Sequence, residues 1–217
     1  MLQYLIDLLF PTKCLFCQKT MERSLIALCP TCWANAPEFT KSKNKISFVA
    51  RWTCLWYYKD MARRSILRYK FYYRRSYAKT FGRLLAGKLQ REGFDSFDLL
   101  TWVPVSPLRR IQRGFDQVED LAKIVGQTMD CEPIPTLKKI RHNRQQSTLR
   151  DHSYRRANVL GAYQVLDPAL IKGKKILLLD DILTSGSTAS ECARTLITAG
   201  AKEVTFAAIA FADYHNK

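Results

Sequence analysis

Acidic residues are scarce in this chain. Its 217 residues hold 19 Asp and Glu against 35 Lys and Arg, a formal charge of +16. Such an excess is self-repelling unless something anionic compensates, and the usual compensators are nucleic acid, phosphorylated ligands or anionic lipid. Long apolar runs are also missing. No window approaches 18 uninterrupted apolar residues, which excludes a membrane-spanning helix by sequence. The start, Met1 to Pro11, is apolar but short, lacks a basic leader and carries Asp7. It predicts no secretory signal, and with it a cytoplasmic protein. Histidine is down to three, and His142 and His152 fall in a polar stretch where a lone histidine is usually just solvated. At 47% hydrophobic and 25% charged residues, wholesale disorder is excluded. The length suits one domain, or one domain with a small module.

Cysteine, by contrast, is plentiful and unevenly placed. Four of seven fall within the first 32 residues, as Cys14-Leu-Phe-Cys17 and Cys29-Pro-Thr-Cys32. Two residues between thiolates allow a tight knuckle that aims both sulfurs at one ion. Two knuckles supply four soft ligands, which suits tetrahedral zinc. Free buried thiols or a redox pair are the alternatives. Four thiolates leave no open position, so the zinc is expected to be structural. A module of roughly 40 residues has too little core to hold itself together without metal. The polar stretch Lys41 to Lys45 reads as its exit, dividing a zinc-binding module, 1–45, from the remainder, 46–217. Cys54, Cys131 and Cys192 are isolated and read as small buried hydrophobes.

The middle of the chain mixes cations with rings. Arg51 to Arg91 contains twelve Lys or Arg and one acid, Asp60, interleaved with ten aromatic residues. Cations neutralise phosphates and rings stack on bases, so this mixture suits a single-strand binding groove. Lys70, Tyr72, Tyr73, Arg74 and Arg75 form its best local cluster. Some rings must be core: Ser76 to Arg91 has helical spacing, which makes Tyr77 and Phe81 packing residues. Leu99 to Val105 reads as a buried strand, followed by the basic turn Ser106 to Gly114 and a helix over Phe115 to Met129. That order places Arg109, Arg110 and Arg113 at the carboxyl edge of a sheet, where α/β proteins put ligands. Lys138 to Asn158 reads as a long polar loop of the kind that serves as a lid, and Val159 to Val165 as a returning strand.

The sharpest signal is Ile176 to Thr188. Ile176 to Leu179 is an apolar strand fit for a buried parallel sheet. Asp180 and Asp181 follow it. Thr184-Ser-Gly-Ser-Thr188 then makes a small hydroxyl-rich turn opening a helix over Ala189 to Ala199. Free N–H groups at a helix start, a glycine that permits close approach and several hydroxyls make a cradle for a phosphate dianion. Two carboxylates beside such a cradle would reach the hydroxyls of a ribose or a bound magnesium.

These thirteen residues resemble the phosphoribosyl-pyrophosphate (PRPP) motif of type I phosphoribosyltransferases: four apolar residues, two acids, two apolar residues, then Thr-Ser-Gly-x-Thr. Nearly the whole chain resembles one branch of that superfamily, the ComF family. The apolar leader, the paired cysteines, Arg109 through Gln117, Gln146-x-x-Leu149 and Arg155-x-x-Asn158 all take part. Asp116 departs from the family pattern, where Asn is expected. The resemblance implies an α/β fold: a parallel sheet flanked by helices, with a small N-terminal zinc-binding module. It implies that Thr184, Ser185, Gly186, Ser187 and Thr188 seat the 5′-phosphate of PRPP and that Asp180 and Asp181 hold the ribose hydroxyls. Pro104, Val105 and Ser106 would form the pyrophosphate loop, helped by Arg109 and Arg113. Arg144, Gln146 and Arg155 would lie in the lid, and magnesium (Mg2+) would bridge the pyrophosphate beside the structural zinc (Zn2+). The implied role is cytosolic handling of single-stranded DNA in natural transformation, with other competence or recombination proteins as further partners. The alternative is a working phosphoribosyltransferase acting on an unidentified base or amine.

Overall fold

The computed structural model describes residues 11–40, 44–72, 74–141 and 159–213. Its centre is a four-stranded parallel sheet in the order β1-β6-β5-β2. The strands are β1 (Arg51–Tyr57), β2 (Leu99–Trp102), β5 (Lys175–Leu183) and β6 (Glu203–Phe211). The middle of β5 and most of β6 are buried, as expected of a parallel sheet covered on both faces. On one face pack α2 (Asp60–Phe71), α3 (Tyr77–Arg91) and α5 (Gln117–Thr128). On the other packs α7 (Ser187–Thr198). The short α4 (Pro107–Arg113) and α6 (Pro168–Ile171) sit in connections.

Local chemistry accounts for where these elements end. Strand β2 stops at Trp102 rather than reaching Val105. The Val103 N–H still bonds to Leu179 O at 2.9 Å, but Pro104 has no N–H to continue the ladder. Ser106 caps α4, its hydroxyl accepting from the Arg109 N–H, and Gly114 ends that helix at φ 68°. Asp116 caps α5, accepting from the N–H groups of Val118 and Glu119. The helix expected from Phe115 to Met129 is therefore Gln117–Thr128.

Two further expectations change. Strand β5 does not stop at Leu179: it runs through both acids to Leu183, with Asp180 opposite Ala208 and Leu183 opposite Phe211. The expected strand Val159 to Val165 shrinks to β4 (Tyr163–Val165). It pairs antiparallel with β3 (Leu137–Lys139), apart from the main sheet. The turn at Gly161, φ 65°, interrupts it, and the Gly161 N–H is turned onto Glu191 Oε1 at 2.7 Å.

The cysteine module sits on the helices rather than beside them. Leu15, Phe16, Leu28 and Cys32 belong to the same buried cluster as Trp56, Tyr69 and Phe81, and the Phe16 and Trp56 ring centroids are 4.8 Å apart. Arg68 on α2 donates to Leu15 O and Phe16 O. Lys88 on α3, 3% exposed, donates to Phe39 O at 2.8 Å and pairs with Glu92 and Glu38. A buried ammonium survives only with such partners. The module has one helix, α1 (Pro30–Ala34), within the second cysteine pair. Among the described residues no helix is long and apolar enough to cross a membrane.

Candidate sugar-phosphate site and cysteine centre

The cysteine centre follows from its two knuckles. The Sγ atoms of Cys14, Cys17, Cys29 and Cys32 all lie within 4.8 Å of one another, with Cys17 and Cys29 sulfurs 3.9 Å apart. Sulfurs held tetrahedrally about 2.3 Å from zinc would sit about 3.8 Å apart, so the donors fit that ion. Cys14 and Cys32 are buried, and the Cys29 N–H donates to Cys14 Sγ at 3.4 Å. Burial raises the Cys14 thiol, but N–H bonds from Cys29, Cys17 and Phe16 outweigh it and bring the pKa down to about 7. Burial and the neighbouring sulfurs push Cys32 up to about 12. Thiols this close titrate as a unit, and a dication is what lets all four ionise together.

The sugar-phosphate candidate forms where β2 ends beside the middle of β5. Trp102 pairs with Leu179, which brings the 104–106 turn next to Asp180 and Asp181. Asp116 fixes that turn as well as its own helix, its Oδ2 accepting from the Val105 N–H at 3.3 Å. The aspartate at this position is therefore explained by three backbone N–H groups. Burial raises the Asp116 carboxyl and those bonds partly offset it.

Past the acids, Thr184 to Gly186 form the turn and Ser187 and Thr188 the first turn of α7, two residues ahead of the expected helix start. Gly186 stands at φ 75°, a left-handed conformation that penalises a side chain. The Ser185 and Ser187 hydroxyls are 2.9 Å apart. Ile46, from the exit of the cysteine module, lies against Gly186: a Cβ there would meet its side chain at 3.4 Å. Two clefts of 230 and 590 Å³ flank the loop on this side, both lined by Lys45, Ile46, Ser185 and Gly186. The two acids line neither.

Cations come from both sides of the sheet. Arg113 is half-buried, its guanidinium 5.2 Å from the Phe71 ring centroid. Burial lowers its pKa, with the Asp181 charge opposing. Lys139 on β3, with Nζ 5.3 Å from the Tyr163 ring centroid, also has its pKa lowered, by burial and then by Arg109, while Asp180 opposes. Sequence reading missed Lys139, because nothing in a polar stretch shows that β3 brings it within electrostatic reach of Asp180.

The aromatic–basic segment divides in a way its composition did not show. Trp56, Tyr69 and Phe81 are buried. Tyr77 packs edge-on to Phe81. Lys70 is not a free surface cation but pairs with Asp181, and Arg75 forms a bidentate pair with Asp120. Phe71 and Tyr72 stay exposed at 57% and 68%, beside the exposed Arg74. Tyr73, Arg144, Gln146 and Arg155 lie outside the described residues.

The chain matches the phosphoribosyl transferase domain family over residues 113–216 and the double zinc ribbon domain family over residues 5–43. It is 29% identical over 200 residues to the competence protein ComFC of Streptococcus pneumoniae, covering 88% of this chain and 84% of that one. Together these matches support a ComF-family, type I phosphoribosyltransferase-like protein. The DNA utilization protein YhgH of Escherichia coli O157:H7 is 28% identical, over 62% of this chain and 60% of its own length. The glutamine PRPP amidotransferase of B. subtilis superposes at TM-score 0.45 and 20% identity, over 76% of this chain but 32% of that one. That likeness is too partial to assign an activity. The zinc ribbon match and the close cysteines support a structural zinc in this chain.

Proposed function

We propose that this chain binds PRPP at the β5–α7 turn and single-stranded DNA on the adjoining basic surface, and that it serves DNA uptake. The observation that carries the first half is the edge geometry. A hydroxyl-rich turn with a left-handed glycine opens a twelve-residue helix, just past the two acids that β5 carries beside the 104–106 turn. The helix start takes the 5′-phosphate through free N–H groups and the helix dipole. The acid edge takes the ribose. Arg109, Arg113 and Lys139 neutralise pyrophosphate. Among the described residues the cysteine cluster is the one set of three or more side chains able to hold a metal, so magnesium would come with the pyrophosphate oxygens.

The +16 charge supports the second half, since one pyrophosphate needs only a few cations. The exposed rings of Phe71 and Tyr72, with Arg74 beside them, give stacking and phosphate contacts at the end of α2. The names of the two curated relatives, a competence protein and a DNA utilization protein, support the biological role. Calorimetry with PRPP and magnesium tests the first half, and no heat would overturn it. Fluorescence anisotropy on a labelled single-stranded oligonucleotide tests the second. Affinity should fall steeply between about 50 and 200 mM salt, and binding indifferent to salt would overturn it.

A further inference from the structure

The two neighbouring acids are not equivalent. Successive residues of a strand face opposite sides of the sheet, and Asp181 turns toward α2 and α5. It is 6% exposed, and both its oxygens are engaged: Lys70 Nζ lies 2.8 Å from Oδ1, and Gln117 Nε2 donates to Oδ2 at 2.8 Å. Only the amide nitrogen can donate to a carboxylate, so this bond fixes the amide's orientation. Gln117 Oε1 is left buried without a partner, a costly state that persists because Nε2 must face Asp181. Asp180 is more open. Its Oδ1 accepts from the Asp181 N–H at 2.7 Å, and no described side chain bonds its other oxygen.

We infer that the two acids divide the work: Asp180 alone grips the ribose diol, while Lys70, with Gln117, is a positioning residue that locks Asp181 as a buried counter-ion fastening α2 to the sheet edge. The assignment rests on the sugar-phosphate reading above. A carboxylate can hold a diol only with lone pairs to spare. Asp181 spends its own on an ammonium and an amide, and displacing Lys70 would strand a poorly solvated charge. Asp180 keeps an oxygen for hydroxyl donors. Without Lys70, the unneutralised charge on Asp181 would tighten the hold of Asp180 on its proton and take from the diol an acceptor it needs.

The test uses the full zinc-loaded chain and three probes: ribose 5-phosphate, 2-deoxyribose 5-phosphate and inorganic phosphate. The wild-type chain should prefer ribose 5-phosphate over its 2-deoxy analogue by about tenfold, as one hydrogen bond gives. Asp180→Asn should erase the preference and leave phosphate affinity unchanged. Lys70→Met should erase it too, while Lys70→Arg restores it. The double variant Lys70→Met/Asp181→Leu, which removes both charges together, should recover both the preference and the melting temperature lost in Lys70→Met. A double variant that folds yet has lost the preference overturns the inference, as does an Asp180→Asn protein that keeps it. A wild-type chain that binds none of the probes overturns the sugar-phosphate reading instead. In that case the melting temperatures still judge the anchoring: no recovery in the double variant overturns it.

Discussion

The cysteine centre and the sugar-phosphate edge are each built from a handful of side chains, yet they are assembled in opposite ways. The first closes on itself. All four ligands come from a stretch of 19 residues, Cys14 to Cys32, and two are fully covered. The second is open and composite. Its turn and acids come from one strand–helix junction, but the groups that set their charge come from α2, α4, α5 and β3. A closed centre fails all at once when one ligand goes. A composite edge can lose function while the fold stands. Loss at the first should therefore spread further, because the module shares its core with α2 and α3.

The largest contrast should come from Cys14→Ser. Zinc content measured by atomic absorption should drop to background, and the melting temperature should fall by roughly 10 °C or more, since structural zinc supplies a large share of a small module's stability. No comparable collapse is expected from any single change at the edge.

The second expectation concerns pH. Burial and then the Asp181 charge push the Asp180 carboxyl up to about 8, against about 4 in an unfolded chain. The folded state then binds the extra proton between these values, so stability contributed by this group is full below about pH 4 and declines as pH rises toward 8. Thermal melts across that range should show the decline, and Asp180→Asn should flatten it. An unchanged profile would mean that Asp180 is already ionised in the folded chain.

Smaller still is Gly186→Val. A branched side chain at φ 75°, pressed against Ile46, should cost about 1–2 kcal/mol and weaken PRPP binding at least tenfold with zinc retained. The smallest effect separates two substitutions of the cap. Asp116→Ala should cost about 1 kcal/mol in chemical denaturation through loss of the cap of α5. Asp116→Asn, which keeps an accepting oxygen, should change stability by less than about 0.5 kcal/mol.

Legibility followed the same division. The knuckles, the apolar run of β5 and the hydroxyl turn were readable because each is a pattern within a dozen or so residues. The ring-rich segment was only half readable. Helical spacing placed Phe81 inside, but a cation on a helix reads the same whether it meets solvent or a carboxylate. Lys70 reads in sequence as one more cation of the ring-rich cluster, and in the fold it pairs with Asp181, 111 positions further along. Val159 to Val165 had the apolar content of a core strand, and only the turn at Gly161 and pairing with β3 show that it leaves the main sheet.

By itself the sequence determined what local chemistry determines: which thiols could share an ion, which glycine could turn left-handed at a helix start, and where a strand hands over to a helix. The tertiary structure alone decided the electrostatics. Charge–charge energies depend on separation and burial in space, and neither is written in spacing along the chain. Two identical side chains at consecutive positions thus end in different environments, Asp181 paired with Lys70 and Asp180 with no cation paired to it among the described residues.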